Sequence, residues 1–250
     1  MSEPGARPAP GAPGASQKAA VPEGFVTAVV HLVNTGPVLL GAYTIAELTA
    51  VDGVVDFLEA RPSDEVVAEA VRSLAARQLL VPGPGDQVQV RGDLGIAVAF
   101  EQRARMVLDA RVTGTRPGEP WRVLLLPQPE KICLQYRIDA LGIHEIGLYQ
   151  VDQALDFLAG WLPGGRRADL DRATDTDSLL ASAERSALVT ITRYTAQGSA
   201  ETAGASTDLI LARHDGRLHV LTRDPADRAR LIPGPAGDDG IRDMLAGLLT

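Results

Sequence analysis

Between residues 105 and 151 the chain carries four apolar segments in series, Arg105 to Val112, Trp121 to Leu126, Lys131 to Ile138 and Ile143 to Val151. Each has the two-residue period of a strand, and the connections contain Gly-Thr-Arg-Pro-Gly-Glu-Pro, Pro127 with Pro129, and Leu141-Gly142. Parallel pairing needs a crossover of a dozen residues or more, and these connections are too short to supply one. The segments are therefore expected to form an antiparallel meander. Val151 to Leu162 follows with Val151, Leu155, Leu158 and Leu162 on one helical face, stopped by Pro163-Gly164-Gly165.

A second run repeats this plan. Strands are expected at Ala187 to Tyr194, Thr207 to Arg213 and Arg217 to Thr222, with Asp215-Gly216 as a tight hairpin turn. Gly240 to Leu249 then closes the chain as a helix. ALDFLAGWLP at 154–163 resembles IRDMLAGLLT at 241–250, and ARMVLDARVTG at 104–114 resembles SALVTITRYTA at 186–196. The expected fold class is α+β, with two pseudo-twofold-related halves, each an antiparallel β-meander with flanking helices.

Other segments complete this outline. Residues 1–22 are Pro-, Ala- and Gly-rich without large apolar side chains up to residue 20, and are expected to be a disordered tail. FVTAVVHLV at 25–33 is β-branched and reads as a strand. TIAELTAVDGVVDFLEA from Thr44 reads as a helix, and so does Ser63 to about Leu80, with Ser63 as N-cap. PGPGD at 82–86 is a turn before a short strand QVQVR, and Asp93 to Glu101 is a short helix. Residues 166–178 form a polar connection. A helical turn is expected near Ser178 to Arg185, capped by Asp177 or Ser178, and a helical piece from Asp224-Pro225 to Leu231. The halves are thus residues 23–165 and 179–250, packed as one domain.

Charge and motif content narrow the function classes. With 24 Lys plus Arg against 32 Asp plus Glu, the net charge of −8 argues against phosphate backbones as the main partner. No apolar run reaches the ~18 residues of a membrane-spanning helix. No basic stretch precedes an apolar one at the N-terminus, so a cytoplasmic protein without stable membrane insertion is expected. Cys133 stands alone, within the apolar phrase ICLQY, and is expected to be a buried inert thiol.

No Gly-x-Gly-x-x-Gly, phosphate loop or Gly-x-Ser-x-Gly elbow occurs, so no catalytic residue and no cofactor is expected. His144-Glu145 lacks the second histidine of a zinc-protease pair, since position 148 is Leu148. His214 and His219 flank a hairpin turn and are expected to face each other, which is too few ligands for a closed metal site. Asp169, Asp171, Asp175 and Asp177 lack the glycine and terminal glutamate of a calcium loop. A helix ending LAARQLLV before a hairpin allows a winged-helix regulator with a ligand-sensing C-terminal domain, although Glu65 and Glu69 accompany Arg72 and Arg77 on its exposed side. A pocket enzyme is a third possibility, without convergent polar residues to support it.

The phrases EAVRSLAARQLLV, RMVLDARVTG, WRVLLLPQPEKICLQYRI, ALDFLAGWLPG and GRLHVLTRDPADRARL, in that order, resemble the EspG family of chaperones of type VII (ESX) secretion. The resemblance spans about residues 63–250, with Gln78 where the family usually has glycine. It implies a non-enzymatic cytosolic chaperone or adaptor that holds a secreted helical-hairpin client, PPE-like or WXG-like. Arg116, Trp121, Met244 and Leu248 are the candidate client contacts, from a loop of the repeat and from the closing helix. The last three are also the residue types that fill cores.

Overall fold

The computed structural model describes residues 21–51, 62–83, 88–168, 175–197, 200–234 and 240–249. The expected disordered tail up to residue 20, the expected helix beyond Val51, and Asp169 and Asp171 of the polar connection lie outside them.

The first described segment departs from its β-branched composition. Residues Glu23–Thr35 form helix α1, not a strand, because Val26, Val29 and Val33 recur at helical steps and are buried while Leu32 on the other side is 53 % exposed. An amphipathic stripe packed on a sheet outweighs a modest local preference for strand. Gly36 and Pro37 then release the chain into β1 (Val38–Thr44). Thr44 caps α2 (Ile45–Ala50) in a reciprocal box with Glu47. Helix α3 (Asp64–Ala76) follows, then a small hairpin of β2 (Leu80–Pro82) and β3 (Val88–Val90), and α4 (Gly92–Arg103).

The four expected central strands are β4 (Met106–Val112), β5 (Arg122–Pro127), β6 (Ile132–Ile138) and β7 (Ile143–Gln150), followed by α5 (Val151–Trp161). The connection is less irregular than expected: Arg166–Arg167 form β8, and α6 spans Thr176–Ala181, with Asp175 as its cap. Asp175 accepts from the Asp177 and Ser178 amides, so the cap falls two residues earlier than the expected pair. β9 (Arg185–Gln197), β10 (Ala200–His214) and β11 (Arg217–Arg223) are the expected strands, the first two longer than the sequence indicates. The piece after Asp224 is not helical. Asp224 and Asp227 each accept the amide two residues on, closing successive turns, and the chain enters β12 (Leu231–Pro233) before α7 (Ile241–Leu249).

The architecture is mixed α+β, with one large sheet in the order β1-β7-β6-β5-β4-β9-β10-β11-β12, in which β8 also pairs with β11. All neighbours are antiparallel except β8 with β11. The two meanders join through β4 and β9, with Leu108 opposite Ile191. Each meander is followed by a helix, and α5 and α7 lie side by side on one face over Leu108, Leu125, Val189, Leu211 and Val220. The other face of the first meander is covered by α1, α3 and α4 over Leu124, Leu134 and Leu148.

The register refines the internal match. Aligning 104–114 with 186–196 sets Leu108 against Thr190 and Val107 against Val189. Val107 belongs to the core under α4 and Val189 to the core under α5 and α7, on opposite faces. Because a strand alternates faces every residue, equivalent positions require a one-residue shift of that match.

Candidate functional site

Buried polar groups come first, since they mark where a fold tolerates cost. Arg122 on β5 has a side chain only 3 % exposed and grips Asp109 of β4 with Nε at 2.9 Å and Nη2 at 2.8 Å. Arg111 donates to the same carboxylate from Nε and Nη2 at 3.2 and 3.0 Å. On the same face Thr190, opposite Asp109, donates to Asp208, which also accepts from Arg223. These cations and carboxylates are engaged with one another, as a structural row across five strands, β5, β4, β9, β10 and β11.

His144 is 2 % exposed, with Nδ1 2.9 Å from the Gly142 carbonyl and Nε2 buried without a hydrogen-bond partner. Burial lowers its pKa, against the pull of the Gly142 and Tyr43 carbonyls. The neutral ring is the native form, so the unfolded chain takes up a proton that the folded one resists as pH falls below the ordinary histidine value of about 6.5. Stability is therefore expected to decline on acidification through that range, and His144→Gln to flatten this part of a urea-midpoint profile. An unchanged slope would count against it. Cys133 is buried as expected, and burial pushes its thiol to about 12, well outside the reactive range.

Of the four residues proposed from sequence, Arg116 and Trp121 share one loop region and Met244 and Leu248 share α7. Arg116 is exposed in the β4–β5 loop, where its amide donates to Glu119. Glu119 also accepts from Arg185, and the Arg116 amide with Arg185 lowers its pKa. Trp161 Nε1 donates to the Pro120 carbonyl and Arg185 to the Trp161 carbonyl, so this loop is laced to the end of α5. Trp121 is half-buried beside it, its amide donating to Ile138. Met244 and Leu248 pack partly buried against the α5–α7 core, Met244 sulfur accepting from Arg167 and the Leu248 carbonyl from Arg193. Arg193 pairs with Met106 at the start of β4, six residues and about 20 Å along the strand from Val112, where the Arg116 loop begins. Met244 and Leu248 take the core role that their residue types allowed.

A different surface is built by β1 and β7. β1 ends the sheet and pairs only with β7, and its sequence VLLGAYT has no charged residue. Leu40 and Tyr43 turn into the core under α1 and α4, whereas Leu39 is 65 % exposed and Ala42 is exposed. Leu39 pairs with Gly147 and Ala42 with Glu145, whose partner Arg137 stacks 4.8 Å over the Phe157 ring of α5. These outward residues therefore share the face on which α5 lies. Together they form a shelf along the outer side of α5.

Gly147 gives the shelf its floor. A methyl group there would stand 2.8 Å from the Tyr149 ring, which lies across the glycine and occupies the space of its missing side chain. Burial of the ring raises the Tyr149 phenol pKa. Gly147→Ala is expected to lift the ring off the floor, with a cost of about 1–3 kcal/mol and increased Tyr149 mobility in proton relaxation measurements. A variant as stable as the parent would show that the ring is not held there.

No protein-family model matches this chain, and no curated protein is similar to it. The surfaces themselves must therefore carry the functional argument.

The segment suggesting a winged helix can be weighed in the same way. The α3 helix precedes the β2–β3 hairpin, yet β1, which would complete a wing, pairs in the large sheet instead. Among its exposed residues, Arg72 is paired with Glu69 at 2.6 Å and Arg77 with Glu47 at 2.7 Å, leaving Asp64 and Glu65 at its start. That surface repels phosphates. Among the described residues no helix is long and apolar enough to cross a membrane, and no group of three or more His, Cys, Asp or Glu could hold a metal ion.

Proposed function

We propose that this protein is a non-enzymatic cytosolic chaperone or adaptor, resembling the EspG family, that holds the apolar part of a helical-hairpin client for type VII secretion. The observation that carries the reading is the shelf of Leu39, Ala42 and the Tyr149-covered Gly147 beside α5. An exposed leucine on an uncharged edge strand, next to a helix, offers a client helix apolar area and a neighbour to pack against. The resemblance of the phrases in residues 63–250 to the EspG family supports a client of this type. The net charge of −8 keeps such a complex dispersed.

The test is affinity purification of the tagged full-length chain from its native cell, with mass spectrometry of co-eluting proteins, then co-expression of the captured protein. The expected result is a small helical-hairpin protein in near-stoichiometric amount, forming a complex that Leu39→Asp abolishes. Leu39 is exposed, so the variant keeps the parent's urea midpoint. Recovery of DNA, or a client that binds Leu39→Asp as well as the parent, would overturn the reading.

A further inference from the structure

At the other end of the sheet, two arginines and a histidine stand in one row. In β10 and β11, His214 pairs with Arg217 across the Asp215-Gly216 turn, and in the parallel pair of β11 with β8, Arg217 pairs with Arg166. His219 lies two residues beyond Arg217 on the same face, its ring centroid 6.4 Å from that of His214. Arg166 and Arg217 are exposed, and neither makes an ion pair with a carboxylate among the described residues. Like charges directly opposed across strands, as Arg166 and Arg217 are, destabilise, and a chain with eight more acids than bases has no general excess of arginine to explain the pair.

The nearby acids leave it largely uncompensated. Asp215 approaches His214 only to 3.5 Å from a side chain 88 % exposed. Glu184 is engaged by Arg213 and by the Gly216 amide. On the α6 side, the Ser182 carbonyl lies 3.2 Å from His214 Nδ1. His219 Nδ1 is buried without a partner, and its pKa is lowered by burial and by the charges of His214 and Arg217.

We infer that this row binds an acidic polypeptide segment. Three strands about 4.8 Å apart spread the two guanidiniums and the imidazole over roughly 10 Å, more than one compact anion spans. Carboxylates at alternate positions of an extended segment stand about 6.6 Å apart, so two or three of them, spanning about 7 to 13 Å, bracket that spread. Arginine forks donate paired hydrogen bonds to such carboxylates. The surface is at the opposite end of the sheet from β1, and its occupancy does not depend on the chaperone reading.

The probe is a fluorescein-labelled hexaglutamate peptide, followed by anisotropy with the full-length chain at low and moderate salt. Binding is expected to weaken with salt, and to fall about tenfold or more in R166E/R217E but not in R72E, whose arginine lies on α3. In the wild-type chain the peptide should shift the ring-proton resonances of His214 and His219 in proton NMR spectra, a readout independent of any variant. Equal binding by R166E/R217E, or imidazoles that do not respond, would overturn the inference. Displacement of the peptide by millimolar inorganic phosphate at the same residues would overturn the polypeptide assignment in favour of a compact anion. Either failure leaves the Leu39 experiment untouched.

Discussion

Asp109→Ala should destabilise this protein by about 3–5 kcal/mol, measured as a loss of unfolding free energy in urea. The reason is what it leaves behind. Arg122, 3 % exposed, loses the carboxylate that its Nε and Nη2 grip, and Arg111 loses the same acceptor. A buried guanidinium cannot give up its proton to escape the cost. Asp109→Asn should cost less, because the amide oxygen still accepts one hydrogen bond. Replacing both partners, as D109L/R122M, should recover most of the loss, since apolar side chains of similar volume remove the buried charge together with its counter-charge. If Asp109→Ala were as stable as the parent, Arg122 would have to find water or another acceptor, and the row across β5, β4, β9, β10 and β11 would have no structural weight.

Much of this arrangement was legible in the sequence, and the exceptions share a cause. The strands β4 to β7 have a two-residue period and short connections, a signal that is local and sufficient. Helix α1 was not legible in the same way. FVTAVVHLV satisfies both a strand composition and a helical stripe at Val26, Val29 and Val33, and the choice is made by the sheet face it covers. Asp224-Pro225 carries a helix-start signal, yet Asp224 and Asp227 spend their side chains on turns two residues ahead. The shelf is harder still to see. Leu39 looks like any strand leucine until the register sets it opposite Gly147 and the position of α5 leaves it bare. The motif that might have flagged it is Gly147-x-Tyr149, an aromatic placed to cover a glycine on the same strand face. The separation of Arg116 from Leu248 was hidden for the complementary reason: the repeat locates them on equivalent plans but says nothing of which end of a strand each occupies.

Phe100→Ala is expected to cost about 3–5 kcal/mol, and the pattern of its effect tests how the two cores are joined. Phe100 on α4 is fully buried, its backbone carbonyl accepting from Gln128 and its ring contacted by Arg103 at 5.5 Å and by the Phe25 ring at 6.4 Å. Truncation there opens a cavity between α4, α1 and the sheet that none of these larger neighbours can fill without leaving its own contacts. Leu158→Ala, equally buried on α5, opens its cavity on the opposite face. The cores share only the strands between them, and β4 contributes Val107 to one and Leu108 to the other. Both variants should therefore lower a single unfolding transition seen alike by circular dichroism and tryptophan fluorescence, and the double variant should lose the sum of the two. Two separated transitions in Phe100→Ala would mean instead that the α1–α4 layer melts off a sheet that α5 and α7 can hold alone.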